Sequence, residues 1–159
     1  MLARGFEVQL VAARETVPLR HAVLRPHQPI DEIYATADEP PDGHHFAAIT
    51  RGAVIGVASL YHEPLPGRRA LESAWRLRGM AVRGEHRKLG VGRALVEACL
   101  DAARNVGATL VWCNARTTAS GFYERCGFET RGAAFLLPNI GPHVLMECAI
   151  ATTSTVPRG

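Results

Sequence analysis

The chain of 159 residues is short of several things that would point to particular functions. It has no long apolar run. Its longest uncharged, apolar-rich stretch, Gly52 to Tyr61, falls well below the about 18 residues of a membrane span. Glu7 interrupts the N-terminus before a signal-peptide core could form, so the expectation is a cytoplasmic protein with no membrane partner. Cysteine is scarce. Cys99, Cys113, Cys126 and Cys148 form no C-x-x-C pair, and no His follows any of them at zinc-ligand spacing. Cys99 and Cys113 lie in apolar stretches, where a thiol serves as a small hydrophobe. The seven histidines contain no H-E-x-x-H, so no metal is expected. Net charge is also small: 18 Lys+Arg against 15 Asp+Glu gives +3, too little to argue for nucleic acid. Aromatics are only 6% of the chain, and none interleaves with the basic run from Arg83 to Arg93 as a single-strand binding platform would need.

What is present is an ordinary globular composition, 47% hydrophobic and 21% charged, which excludes disordered and collagen-like chains. A domain of this length buries roughly 70% of the surface its unfolded chain exposes, so neither disulfides nor metals are needed to hold it together. One domain over residues 1–151 is expected, followed by a polar, disordered tail over 152–159.

Alternation predicts a first strand at Phe6 to Val11, and Glu15 to Leu24 reads as a short helix. His27 to Asp42, with prolines at 29, 40 and 41, reads as a long irregular passage of the kind that carries function. Phe46 to Thr50 and Val54 to Tyr61 form a hairpin turning at Arg51-Gly52, and Trp75 to Val82 is a further strand. From Val91 to Val106, apolar residues at Val91, Leu95, Ala98, Ala102 and Val106 mark one face of a helix that Gly107 ends. Thr109 to Cys113 is a strand apolar enough to be buried on both faces. Strand, helix and strand in that order make a βαβ unit with parallel strands and a right-handed crossover. A helix over Thr117 to Arg125 and strands around Phe128 to Phe135 and His143 to Ile150 complete a mixed α/β sheet.

The segment that carries chemistry is Arg87-Lys88-Leu89-Gly90-Val91-Gly92, between the strand ending at Val82 and the strong helix. Two glycines let the backbone turn tightly and approach a ligand without side-chain obstruction. The first amides of a helix have no internal partner and the dipole makes that end positive, so such a turn suits phosphate. Arg87, Lys88 and Arg93 add charge. Taken alone, the segment could equally be a plain glycine-rich turn with solvated basic residues. A dinucleotide fingerprint fails because its third glycine position is Leu95, and a Walker loop fails for want of Gly-Lys-Ser/Thr.

Arg87-x-x-Gly90-x-Gly92 resembles the R-x-x-G-x-G signature of the GNAT superfamily of N-acetyltransferases. Met80-Ala81-Val82 precedes it on a strand, and an amphipathic helix follows. Further on, Ala119-Ser120-Gly121-Phe122-Tyr123-Glu124-Arg125-Cys126-Gly127-Phe128 is similar to the family's A-x-x-x-Y-E-x-x-G-F segment. The resemblance is strongest from Trp75 to Phe128.

It implies a single GNAT-like domain whose fourth and fifth strands are parallel and splayed, with acetyl-CoA as co-substrate. Contacts implied for that carrier are Met80, Ala81 and Val82 on the strand, with pantetheine on the backbone of Met80 and Val82. Arg87, Lys88, Leu89, Gly90, Val91, Gly92 and Arg93 would then hold the pyrophosphate. Tyr123 is the implied acid toward the departing thiolate; packing against Phe122 and Phe128 is its plain alternative. Relatives place an Asn seven residues before this tyrosine, where the chain has Arg116; Asn114, two positions earlier, is left to make that contact with coenzyme A. For a base the candidates are His44, His45, Glu63, His86 and His143, and none stands out. The partner implied is a small-molecule or peptide amine, and a homodimer is compatible with the sequence. An inactive CoA-binding regulatory domain is the alternative. The acidic residues Asp31, Glu32, Asp38, Glu39 and Asp42 would suit a polycationic sugar, or are simply a solvated loop. Acceptor specificity is expected in the loops His27 to Asp42, Glu63 to Ala74 and Leu137 to His143.

Overall fold

The fold is described by a computed structural model for residues 5–67, 73–138 and 140–151. The expected tail over 152–159 lies outside the described residues. In chain order the elements are β1 (Glu7–Val11), α1 (Val17–Leu24), α2 (Ile30–Ala35), β2 (His44–Thr50), β3 (Ala53–His62), β4 (Ala74–Val82), α3 (Val91–Asn105), β5 (Leu110–Arg116), α4 (Ser120–Arg125), β6 (Glu129–Leu137) and β7 (Gly141–Ala149). The strands form one mixed sheet in the order β1-β2-β3-β4-β5-β7-β6. By backbone contacts the chain divides into two compact units. The first comprises Met1–Tyr61 with Leu77–Cys99; the second, His62–Arg76 with Leu100–Gly159.

In the first unit β1, β2 and β3 make an antiparallel meander. The β2–β3 turn falls where the sequence places it. Arg51 and Gly52 both take positive φ, 50° and 78°, which matches the twist a two-residue hairpin requires. The core here is built on Leu19, Ala47, Val57 and Ala81, with Val11, Val23 and Ile49 packed around it. Helix α3 comes down close on β3 because residue 56 is glycine: a Cβ there would sit 2.7 Å from the Val91 side chain and 2.9 Å from that of Leu95.

In the second unit the parallel pairing joins Ala74, Trp75 and Arg76 to Leu110, Val111 and Trp112. Strand β7 inserts between β5 and β6, antiparallel to both. Leu65, Ala74, Leu110 and Trp112 are buried together with Leu145 against them. The Trp112 indole donates to the Glu63 carbonyl at 2.9 Å, giving the one polar atom of that large side chain its partner.

Four expectations need adjustment. The passage His27 to Asp42 is not wholly irregular, since it contains α2. Its prolines flank that helix instead of interrupting it: Pro29 supplies the extended entry residue, and Asp31 and Glu32 fill the first turn, where the helix dipole favours acids. The helix expected over Glu15 to Leu24 is a 3-10 turn, Ala13–Thr16, leading into α1. Strand β5 runs on to Arg116, three residues past the expected end. The buried face of α3 is Val91, Leu95, Val96, Cys99 and Ala103, while Val106 lies beyond the last helical residue and is 42% exposed.

Candidate functional site

Strand β4 carries a local irregularity in its own sequence. Gly79 adopts φ +69° in mid-strand, a conformation that side-chain-bearing residues seldom take. Its carbonyl accepts a hydrogen bond from Arg20 Nε at 2.8 Å, and a Cβ at this position would collide with the same guanidinium at 2.6 Å. Beyond it Met80 and Val82 are half-buried, and Ala81 points into the core.

After a 3-10 turn at Gly84–His86, residues Arg87 to Gly90 form an exposed turn into α3. Lys88 and Gly90 both have positive φ, 64° and 84°. The Gly90 carbonyl accepts the first helical bond, from the amide of Ala94 at 3.0 Å, so Gly90 caps the helix. The amides of Val91, Gly92 and Arg93 are therefore the first-turn donors that no helical carbonyl can satisfy. Leu89 is 63% exposed, and Arg93 pairs with Glu97 on its own helix at 3.3 Å. Open space surrounds the position of a Cβ on Gly90. The turn presents backbone donors and positive charge outward, which is the arrangement that accepts a phosphate anion. Of the residues implied to hold the pyrophosphate, Arg87 to Gly90 and Arg93 are exposed, Gly92 is half-buried and the Val91 side chain is buried in the core.

The same unit holds a cavity of about 360 Å³, lined by α1, α2 and β4. Sequence reasoning missed its central residue, Arg20. The guanidinium is tied down on three sides: Nε to the Gly79 carbonyl at 2.8 Å, Nη1 to Thr16 Oγ1 at 2.9 Å and Nη2 to Ser59 Oγ at 2.6 Å. Burial lowers its pKa to about 10, with a further push from the like charge of Arg78, so it stays ionised at neutral pH. Ser59 Oγ accepts from Arg20 and so has its proton free for His45 Nδ1, 2.6 Å away. The His45 pKa is lowered, first by burial and then by the charge of Arg20. Tyr61 packs edge-on to His45, and its ring lies 5.6 Å below the Arg78 guanidinium carbon. The signals available in the sequence were a glycine inside a strand pattern and an arginine among the apolar residues of α1.

Each of the other candidates for proton transfer has its own surroundings. His86 ends the 3-10 turn with Nδ1 buried and unpartnered. Glu63 is ion-paired with Arg76 at 3.0 Å, and His143 Nδ1 lies 2.8 Å from the Gly141 carbonyl. His44 is half-buried at the start of β2. In the second unit Tyr123 is buried on α4, with edge-to-face contacts to Phe122 at 5.0 Å and Phe128 at 5.6 Å. Asn114 is half-buried on β5 opposite Leu145. Burial drives the thiols of Cys99 and Cys113 up to about 12, so both are inert at neutral pH. Among the described residues no group of three or more His, Cys, Asp or Glu is placed to hold a metal ion, and no helix is long and apolar enough to cross a membrane.

A mixed seven-stranded sheet with parallel β4 and β5, flanking helices and a glycine-capped anion turn after β4 defines the GNAT fold. The chain belongs to the acetyltransferase (GNAT) family, whose model matches residues 10–128. It is 32% identical over 147 residues to YitI of Bacillus subtilis strain 168, an uncharacterized N-acetyltransferase, covering 92% of this chain and 98% of that one. Among solved structures it is similar to a putative N-acetyltransferase from Lactobacillus plantarum, with TM-score 0.70 and 20% identity over 92% of this chain and 99% of the other. It is also similar to an aminoglycoside 6'-N-acetyltransferase complexed with coenzyme A, with TM-score 0.70, 14% identity and coverage of 91% and 97%.

Proposed function

We propose that the protein transfers an acetyl group from acetyl-CoA to an amine of a small molecule or peptide by direct attack. The observation that carries this reading is the exposed Arg87–Gly90 turn capping α3, in a chain of this family. The pyrophosphate lies on the amides from Lys88 to Arg93, with Arg87, Lys88 and Arg93 supplying charge and Leu89 and Val91 completing the turn. The pantetheine pairs with the backbone of β4 at Met80 and Val82, four and six residues beyond Arg76, where the parallel pairing ends. Asn114 is the further contact with coenzyme A. A structural neighbour with coenzyme A bound supports this choice of carrier.

In the reaction the lone pair of a neutral amine forms a bond to the thioester carbon. Negative charge collects on the carbonyl oxygen, where a fixed β4 amide stabilises it more than in the ground state. Collapse breaks the carbon–sulfur bond and expels the thiolate, and the proton that the attacking nitrogen sheds to solvent balances the one that ends on the sulfur, giving amide and free thiol. An unperturbed thiol has a pKa of about 8.5 and tyrosine about 10, so Tyr123 serves by hydrogen-bonding the departing sulfur and donating as the thiolate forms. The test is calorimetric titration with acetyl-CoA, followed by thiol release across a panel of amines. Heat on titration and amine-dependent release with an acetylated product are expected. Tight binding with no release from any amine would instead make the chain a CoA-binding module.

A further inference from the structure

The cavity beside β4 carries a charge pattern that the acyl-transfer reading does not use. Three guanidiniums line it, those of Arg20, Arg25 and Arg78, against one carboxylate, Glu39. Among the described residues no carboxylate pairs with any of the three arginines. Arg20 is spent on the protein, bonded to Gly79, Thr16 and Ser59. Arg78 is exposed over the Tyr61 ring and Arg25 is exposed at the end of α1, so both have donors to give. Arg20 and Arg78 also repel each other across the cavity wall. An anion seated between them would relieve that repulsion, whereas a polycation would add to it. The volume, about 360 Å³, is at the small end of the about 300–1,000 Å³ typical of ligand sites. Of the acidic residues in the preceding loop, only Glu39 reaches this wall; Asp38 lines a separate, smaller cavity with His45. The acidic loop thus contributes one carboxylate to this wall.

We propose that the acceptor is a compact amine carrying an anionic group, a carboxylate or phosphonate, which Arg78 and Arg25 bind while Glu39 faces the ammonium. This rests on the transferase reading for its role as acceptor, and on the cavity alone for its charge. Arginine holds such anions through paired, charge-assisted hydrogen bonds, and loss of one such pairing weakens binding by about tenfold or more.

The test uses the whole chain saturated with CoA. Standard amino acids and 2-aminoethylphosphonate are titrated calorimetrically, alongside amino-acid methyl esters and spermidine. In parallel, the same compounds are offered with acetyl-CoA and thiol release is followed. At least one anionic amine is expected to bind and be acetylated, its ester to bind about tenfold or more weakly, and spermidine not to compete. Preference for the phosphonate over the carboxylates, or the reverse, identifies the anion. R78Q is expected to raise KM for the anionic acceptor about tenfold while KM for acetyl-CoA stays within about twofold. Esters or spermidine used as well as the acids, or R78Q without effect on the acids, would overturn the proposal. An acid that binds without being acetylated would leave the anion site standing and remove the transferase reading. Acetylation of spermidine and esters alone would do the opposite.

Discussion

Removing the Arg20 guanidinium leaves the Gly79 carbonyl, Thr16 Oγ1 and Ser59 Oγ short of a donor at once. Part of that loss is offset, because Met in its place no longer needs a charge kept in a poorly hydrated site. Arg20→Met is therefore expected to cost about 1–3 kcal/mol, read by urea unfolding; an unchanged midpoint would show that the three bonds contribute nothing net. His45 gives a different signature. Its Nδ1 pairs with Ser59 Oγ, and burial holds its pKa below the ordinary value. As pH falls below about 6.5, the unfolded chain takes up a proton at this position that the folded chain refuses. Stability should thus drop with acidification through that range, and His45→Asn should show a shallower drop in Tm between neutral and mildly acidic pH. Tyr123 is tested by kinetics. Tyr123→Phe keeps both edge-to-face contacts, so acetyl-CoA affinity should hold while turnover falls about 10²-fold or more. Unchanged turnover would remove it from the mechanism.

At the level of elements, what decided legibility was the sequence distance over which a feature is built. Helix α3, the glycine turn before it and the β2–β3 hairpin are local, each written in neighbouring residues, and they stand where spacing and turn chemistry put them. So does the parallel pairing of β4 with β5, because a strand–helix–strand order leaves little choice. The cavity around Arg20 is not local. Arg20 meets the Gly79 carbonyl across 59 positions and Ser59 across 39, and no periodicity links such residues. Helix α2 was obscured because flanking prolines look the same in sequence as interrupting ones. The cap of α3 tests the legible part. Gly90→Ala forces a Cβ onto a residue at φ +84° where no protein atom crowds it, so the cost is conformational, about 1–2 kcal/mol. Under the proposed function it should also weaken acetyl-CoA by calorimetry, since the cap sets the direction of the first free amides. A loss of stability with unchanged acetyl-CoA affinity would move the pyrophosphate elsewhere.

Across the whole molecule the charges nearly cancel, +3 in 159 residues, so long-range attraction for a polyanionic carrier is weak and binding depends on local charge at the α3 turn. Two consequences can be measured together. A ligand that binds only the folded chain stabilises it by about 2.7 kcal/mol at a concentration of 100 Kd. For a chain of this size each kcal/mol raises Tm by about 2–4 °C, so saturating acetyl-CoA should raise Tm by about 5–10 °C. Because Arg87, Lys88 and Leu89 are exposed to solvent, the charge contribution is open to screening. The screening length falls from about 10 Å at 0.1 M salt to about 3 Å at 1 M. The Tm rise at a fixed acetyl-CoA concentration should therefore shrink markedly over that range. In the double variant R87Q and K88Q it should be smaller at low salt and nearly insensitive to salt thereafter. An identical salt dependence in wild type and variant would mean that the phosphates are held by backbone amides and Arg93, with the Arg87 and Lys88 side chains left solvated.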